Sequence, residues 1–227
     1  MRDDLLCWLL LSVLALCVGS FINVVVYRLP RMLLRPQPGF SLLQPRSHCP
    51  RCKTPVRAAD LIPLLGWLRL RGRCRNCRRP VSWRYPATEL AALLISLLLA
   101  LWLPWRALPA ALVMSGFLLA LSLIDLRRQL LPDALTLPLL WLGLLFQALD
   151  LLPQSRPAEA ILGAASGYLL FRLLAWTWRC CRHRNGLGGG DAKLLARLLC
   201  KRALHLPLPF GPCLALAGEA LLLCDLK

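Results

Sequence analysis

The sequence predicts an all-α polytopic membrane protein with about six transmembrane helices and one long loop between the first two. Its 227 residues are 58% hydrophobic with a mean hydropathy of +0.58, yet the net charge is +17. Membrane proteins combine these properties easily, because apolar spans alternate with loops rich in Lys and Arg. A basic excess can also indicate nucleic-acid binding, but these arginines adjoin apolar stretches of membrane-spanning length. We therefore predict no nucleic-acid partner.

The predicted spans follow from length, since about 20 mostly apolar residues cross the hydrocarbon core. Six stretches qualify: Leu5–Val26, Ala87–Leu103, Ala107–Ile124, Ala134–Leu149, Ala160–Trp178 and Leu204–Cys224. The first could be a signal peptide, but Met1-Arg2-Asp3-Asp4 is not a basic n-region and the arginines follow the apolar run. We therefore interpret it as a retained helix.

The charge distribution predicts orientation. Fourteen Lys/Arg lie in the loop 28–86, two follow the third span and seven follow the fifth, whereas the alternate side carries only three. By the positive-inside rule the rich side is cytoplasmic, which places the N-terminus in the periplasm.

Four cysteines in loop 28–86 form two C-x-x-C pairs: Cys49/Cys52 in HCPRCKTPV and Cys74/Cys77 in RCRNCRRPV. The cytosol keeps thiols reduced, so close pairs there more often bind metal than form disulfides. The pairs supply four thiolates for a tetrahedral Zn²⁺ site, which leaves no position for water and is therefore structural. Two separate redox pairs are the alternative, which the absence of a βαβ setting disfavours. Cysteines of the apolar helices, including Cys7 and Cys17, are expected to be small buried hydrophobes.

Two aspartates are candidate catalytic residues. Asp125 ends the third span, and Asp191 follows the glycines of NGLGGGDAKLLA after the fifth. Both spans run inward by the charge count, so both carboxylates are expected at the cytoplasmic end of the membrane. Two carboxylates that approach closely cannot both ionise. Such a pair can activate water with one member and protonate the leaving group with the other, without a metal.

The alternative is that each aspartate caps a helix or pairs with an arginine. Asp133, between Pro132 and an apolar run, fits the N-cap role. Two observations support catalysis, since intramembrane acids are functional candidates and glycine lets a substrate chain approach the carboxylate closely, but the residues alone leave both alternatives open. The glycines do not have the spacing of a nucleotide-binding loop, and no strand precedes them.

These segments, in this order, resemble the type IV prepilin peptidases, the leader peptidases and N-methyltransferases of pilus and type II secretion systems. The similar segments are GSFINVVVYRLP (19–30), HCPRC, DLIPLLGWLRLRGRCRNC (60–77), RYPATE (84–89), SLIDLRRQLLPDALTLPLLWLGL (122–144), GLGGGDAKLLA (186–196) and PLPFGPCLALAG (207–218).

The resemblance implies a bacterial inner-membrane aspartic endopeptidase whose catalytic pair is Asp125 and Asp191, with Gly188 and Gly190 as the glycines of its G-x-G-D motif. It implies cleavage of prepilin or pseudopilin leaders after a glycine, then methylation of the new N-terminus by S-adenosylmethionine. The implied partners are these substrates, membrane lipid and the secretion or pilus assembly machinery. The implied organisation is a first transmembrane helix (1–27), a four-cysteine zinc loop (28–86) and a peptidase core (87–227).

One segment departs from the family pattern. Family members usually carry further apolar helices between K-L-L-A and P-x-P-F-G-P, whereas here only the seven residues Arg197–Ala203 separate K-L-L-A from the predicted last span, Leu204–Cys224. Seven residues are too few to span a membrane. The alternative function is therefore a catalytically inactive, truncated paralogue that acts as a membrane scaffold of the secretion machinery. A transporter is disfavoured because no acid pair lies near mid-membrane.

Overall fold

The computed structural model describes residues 2–128 and 130–151, which are helical wherever they form regular structure. The helices are α1 (Arg2–Leu34), α2 (Leu65–Arg69), α3 (Arg84–Trp102), α4 (Leu108–Arg128) and α5 (Asp133–Ala148), with a 3-10 turn at Ala58–Asp60. The predicted helical fold class is confirmed for this part of the chain. The predicted spans Ala160–Trp178 and Leu204–Cys224 lie outside the described residues.

Three of these helices are long and apolar enough to cross a membrane, namely α1, α3 and α4. At 1.5 Å per residue they measure roughly 50, 28 and 32 Å, against a hydrocarbon core of about 30 Å. Helix α5 has 16 residues, or roughly 24 Å, and is the shortest of the four long helices.

Helix α1 ends at Leu34, eight residues beyond the predicted limit of Val26, and it includes Pro30. The predicted limit falls before Arg28 because a charge marks the end of an apolar run. Charge does not interrupt backbone hydrogen bonds, so the helix continues past the apolar segment. Helix α3 likewise begins at Arg84, three residues before the predicted Ala87. Pro86 is tolerated there because the first turn of a helix has no N–H partner to lose.

The chain divides into two compact units, Met1–Trp102 and Leu103–Lys227. In the first unit, α1 packs on α3 through small residues. A Cβ on Gly19 would lie 2.8 Å from Glu89 Cα and 2.9 Å from Ala92 Cβ. Only glycine permits this approach, and small residues are the usual means by which helices associate closely in lipid.

In the second unit, α4 packs against α5, with Gly143 of α5 near Met114 Cε. The buried face of α4 includes Ala111, Ser115, Ser122 and Asp125. The two serines donate to backbone carbonyls of their own helix, at Leu112 and Leu118, so neither hydroxyl is left unsatisfied in an apolar setting.

Cys7 and Cys17 are exposed on α1, contrary to the expectation that they pack inside the protein. The expectation ignored that a membrane helix can direct apolar side chains at lipid as well as at protein. Leucines on the same helix, such as Leu9 and Leu14, are 57% exposed for the same reason.

Candidate functional site

The first knuckle, which we define as residues 47–56, places Cys49 and Cys52 on a tight turn. Cys49 N–H donates to the Thr54 carbonyl, Lys53 N–H to the Cys49 carbonyl and Val56 N–H to the Ser47 carbonyl, at 2.8–3.0 Å. A bridge between His48 and Pro55 closes the turn. Lys53 has φ +56°, a left-handed conformation that reverses the chain after the second cysteine.

The second knuckle, residues 72–81, repeats this backbone around Cys74 and Cys77. Its hydrogen bonds run from Cys74 N–H to the Arg79 carbonyl, from Arg78 N–H to the Cys74 carbonyl and from Val81 N–H to the Gly72 carbonyl. Arg78 has φ +52° and is the equivalent, in this turn, of Lys53 in the first knuckle. A bridge between Arg73 and Pro80 closes this turn.

The knuckles bring the four thiols together. Cys49 Sγ lies 3.8 Å from Cys77 Sγ, and Cys52 Sγ lies 3.9 Å from Cys74 Sγ. All four sulfur atoms lie within 4.8 Å of one another. A tetrahedral site with Zn–S bonds of about 2.3 Å requires sulfur atoms roughly 3.8 Å apart. The donor set and its spacing therefore fit a metal ion held by four cysteines, such as zinc, as the sequence predicted.

The thiol pKa values diverge in this cluster. The Thr54 hydroxyl and backbone N–H lower the pKa of Cys52 to about 6. The backbone N–H groups of Cys77 and Asn76 lower the pKa of Cys74. The Arg79 N–H lowers the pKa of Cys77, but desolvation and the neighbouring thiols outweigh it and raise that pKa to about 11. Four thiols this close do not all ionise readily, because the thiolates repel one another. A bound dication offsets this repulsion.

An ion pair attaches the second knuckle to the turn before α2. Arg75 Nε donates to Asp60 Oδ2 at 2.8 Å, and Arg75 Nη2 donates to Oδ1. The Asp60 side chain is 3% exposed, and the Arg75 guanidinium holds the pKa of its carboxyl below the usual range. Gly66 packs on this turn so tightly that a Cβ would lie 2.2 Å from the Asp60 carbonyl oxygen.

Three buried polar side chains of α1 and α3 fix this unit: Arg28 and Glu89 hold the loop between the helices, and Asn23 joins the helices to each other. Arg28 donates to the carbonyls of Ser41 and Pro45, at 3.0 and 2.6 Å. Asn23 donates to the Tyr85 carbonyl at 3.1 Å, and Glu89 Oε2 accepts the Leu64 N–H at 2.8 Å. Leu64 has φ +58°, and the Glu89 contact stabilises that unfavourable backbone conformation.

Sequence reasoning missed these roles. Arg28 was counted only as a loop charge, Asn23 and Glu89 were not singled out, and the Asp60–Arg75 pair was not anticipated. The available signal was that Asn23 and Glu89 interrupt segments that are otherwise apolar. A polar side chain at such a position must be satisfied by a specific partner.

Asp125 lies near the C-terminal end of α4, three residues before Arg128, and is 1% exposed. Asp191, Gly188 and Gly190 lie outside the described residues. The pairing of Asp125 with Asp191 therefore stays a prediction. Asp133 is exposed and is the first residue of α5, so it does not occupy the N-cap position that the sequence predicted for it. An acid in the first turn complements the helix dipole.

Comparison with protein families identifies both halves of the chain. The model of the bacterial peptidase A24 N-terminal domain matches residues 13–103, which include both knuckles. The model of the type IV leader peptidase family matches residues 112–201, which include Asp125 and Asp191.

Similar curated proteins are named prepilin leader peptidase/N-methyltransferase. One from Aeromonas hydrophila is 40% identical over 267 residues, covering 95% of this chain and 91% of that protein. One from Dickeya chrysanthemi is 46% identical over 209 residues, covering 84% and 73%. One from Klebsiella pneumoniae is 46% identical over 185 residues, covering 81% and 79%. No solved structure matches the chain.

The alignment with the Aeromonas hydrophila protein is longer than this chain, so that relative carries residues with no counterpart here. This agrees with the short connection noted at Arg197–Ala203. The alternative of an inactive scaffold is nevertheless not favoured, because relatives named for both activities align over most of the chain.

Proposed function

The chain belongs to the type IV leader peptidase family, and we propose that it is a membrane aspartic endopeptidase that also methylates its product. The proposed substrates are type IV prepilins or pseudopilins, whose leader peptide is removed at the cytoplasmic face of the inner membrane. Methyl transfer to the new N-terminal amine follows. The observation that carries the proposal is the intact pair of aspartate segments within a family match, with Asp125 buried at the end of a membrane helix.

The proposed hydrolysis uses Asp125 and Asp191 as a pair that shares one proton. The ionised member takes a proton from water, whose oxygen attacks the scissile carbonyl carbon. The protonated member then gives its proton to the amide nitrogen as the C–N bond breaks, so the products are a carboxylic acid and an amine. Gly188 and Gly190 would let the substrate backbone approach Asp191.

Zinc is proposed as the metal held by Cys49, Cys52, Cys74 and Cys77. Four thiolates fill a tetrahedral shell, so the metal organises the loop and takes no part in hydrolysis. S-adenosylmethionine is the proposed methyl donor, which the name N-methyltransferase carried by the relatives suggests. It supplies the methyl group, and no residue of this chain is assigned to its binding.

The chain is proposed to lie in the inner membrane with its N-terminus in the periplasm and with loop 28–86 and both aspartates in the cytoplasm. The charge asymmetry of the loops supports this orientation. Reporter fusions at positions 60 and 155 test it: we expect a cytoplasmic signal at 60 and a periplasmic signal at 155. A periplasmic signal at 60 would contradict both the orientation and the reduced state of the cysteines.

The test of the peptidase is a processing assay in vesicles where this chain is the only peptidase. Asp125→Asn and Asp191→Asn should each abolish leader cleavage, because residues that act as a unit fail when either is lost. Insertion and zinc content should stay unchanged in both variants. Asp133→Asn is the matched control and should cleave normally, because Asp133 is exposed and the loss of its charge removes only a helix-dipole interaction of about 0.3–1 kcal/mol. An unaltered chain that cleaves no prepilin, or an active Asp125→Asn variant, would contradict the proposal.

A further inference from the structure

A turn of exposed apolar side chains lies in the loop between α1 and α3. We call it the leucine turn and define it as Leu61, Ile62, Leu65 and Leu68, which are 49%, 49%, 64% and 60% exposed. Leu65 and Leu68 are three residues apart on α2 and so share one face of that helix. The intervening Gly66 is buried on the Asp60 backbone, and the Trp67 ring lies against Gly72. The loop interior is therefore filled by other residues, and the leucine turn faces outward.

The depth of the leucine turn is set by Glu89. Its carboxylate accepts the N–H of Leu64, the residue immediately before Leu65. Glu89 is the sixth residue of α3, which is one of the candidate membrane spans. Five residues of helix rise about 7.5 Å to Glu89 Cα, and the Glu89 side chain leans back towards the helix N-terminus, so Leu64 lies beside the first two turns of a span. Because α3, at about 28 Å, is no longer than the hydrocarbon core of about 30 Å, its first turns are expected at the boundary between headgroups and acyl chains, where interfacial segments bury their apolar side chains.

Arginines flank the leucine turn. Arg57 precedes it, Arg69 and Arg71 follow it, and all three are exposed. Asp60 is the single acidic residue between Arg28 and Arg84, and it is already held by Arg75. The turn therefore presents apolar side chains beside cations. This combination is complementary to a bilayer that contains anionic phospholipid, whose phosphates lie above the acyl chains.

We propose that the leucine turn is an interfacial membrane anchor: its four side chains insert among the acyl chains of the bilayer crossed by α1 and α3, and Arg57, Arg69 and Arg71 bind anionic headgroups. The anchor holds the cysteine loop flat against the membrane. A protein partner is the competing occupant. The bilayer is favoured because the hydrogen bond between Leu64 and Glu89 holds the leucine turn beside a membrane span. At that position the bilayer is already in contact with the turn, whereas a protein partner would first have to bind. The proposal is independent of the reaction that the chain catalyses.

The primary experiment is photocrosslinking of the full-length protein in vesicles of phosphatidylglycerol and phosphatidylethanolamine. A benzophenone-bearing amino acid replaces Leu65, and in a matched variant it replaces Trp67, which lies on the same helix but faces the loop interior. After irradiation, mass spectrometry should find lipid adducts at least about fivefold more abundant at position 65 than at position 67. Adducts to protein at position 65, or equal lipid adducts at both positions, would overturn the proposal.

A second measurement separates the apolar and ionic contributions. Amide hydrogen exchange across residues 61–71 is compared between the unaltered chain, a Leu65→Ser/Leu68→Ser variant and an Arg57→Gln/Arg69→Gln variant. In anionic vesicles both variants should exchange several-fold faster than the unaltered chain. In phosphatidylcholine vesicles only the serine variant should differ. Zinc content serves as the folding control, because none of the four cysteines is changed. Equal exchange in all three proteins with zinc retained would overturn the anchor, and if a variant loses zinc the crosslinking result decides.

Discussion

The first knuckle and the second knuckle repeat the same three backbone hydrogen bonds at an offset of 25 residues, and each uses a basic residue with positive φ. Their attachments differ. The second knuckle is joined to the preceding turn by the Asp60–Arg75 ion pair, and the Trp67 indole donates to the Val81 carbonyl at 3.3 Å. The first knuckle contacts the second through a hydrogen bond from Asn76 to Thr54. The comparison separates two effects: metal-binding geometry is local and repeats, whereas attachment to the loop depends on residues outside the repeat.

The largest effect is expected from substitutions in the metal site that the two knuckles share. Cys49→Ser and Cys74→Ser should lower bound zinc equally, to less than about a tenth of the unaltered level after equilibration with a weak chelator, because each removes one of four thiolates. Both should open the loop to protease. Elemental analysis and limited proteolysis provide the measurements. Purified protein that contains no zinc but has a Cys49–Cys52 disulfide would show that the metal assignment is wrong.

The next effect should distinguish the knuckles. Asp60→Asn removes the ion pair that holds Arg75 and should destabilise the second knuckle, although only modestly, because Arg75 is partly exposed and solvent screens the pair. Hydrogen exchange should quicken across residues 72–81 more than across residues 47–56. Arg73→Gln, at an exposed neighbouring position, is the control and should change neither. An equal increase in exchange rate in both knuckles would show that the Asp60–Arg75 pair stabilises both knuckles and not the second alone.

The same pair predicts a pH dependence. The pKa of Asp60 is lowered in the folded chain by Arg75, so its contribution is complete above the ordinary carboxyl value of 3.8 and is lost as pH falls through the lowered value. Below about pH 4 the unaltered chain should therefore lose the stability difference that separates it from Asp60→Asn. Exchange and bound zinc, measured together from pH 6 to pH 3, should show the two proteins converging within the pH range in which both still hold zinc, because protonation of the thiolates would itself open the knuckles. A constant difference over that range would contradict the assigned cause.

A smaller effect tests the repeat itself. Lys53→Gly and Arg78→Gly should each stabilise their knuckle by about 0.5–1 kcal/mol, because glycine adopts positive φ without the steric cost that other residues incur. Zinc release to a chelator should slow to a similar degree in both variants. Destabilisation by one substitution alone would indicate that its side chain makes a contact that the other lacks.

The smallest expected effect concerns the hydrogen bond between the knuckles. Asn76→Ala removes the 3.0 Å contact with the Thr54 hydroxyl, and both residues are exposed. Water replaces such a bond readily, so the loss should be below about 0.5 kcal/mol and zinc content should not change. Zinc loss in this variant would mean that the knuckles are joined mainly by this bond and not by the metal.

Much of this molecule was predictable because its strongest signals are local. The apolar runs predict α1, α3, α4 and α5, but α1 continues past Val26 to Leu34 and α3 begins before Ala87, at Arg84. The C-x-x-C spacing predicted four thiols around one metal, since two short turns with two cysteines each have few other uses in a reducing compartment. The role of Asp125 was inferred from its position and family resemblance, and its burial on α4 is what the structure adds.

The sequence by itself determined the apolar segments, the charge asymmetry and the metal donor set, because each depends on residue type and on short spacing. Only the tertiary structure decided which polar groups meet across the loop. Asn23 reaches Tyr85 over 62 residues and Glu89 reaches Leu64 over 25, and no periodicity relates such positions. These contacts form because a buried polar group without a partner is costly once α1 and α3 have packed at Gly19, although Asn23 Oδ1 itself accepts no hydrogen bond from the described residues. The level of the leucine turn beside α3 follows from that packing.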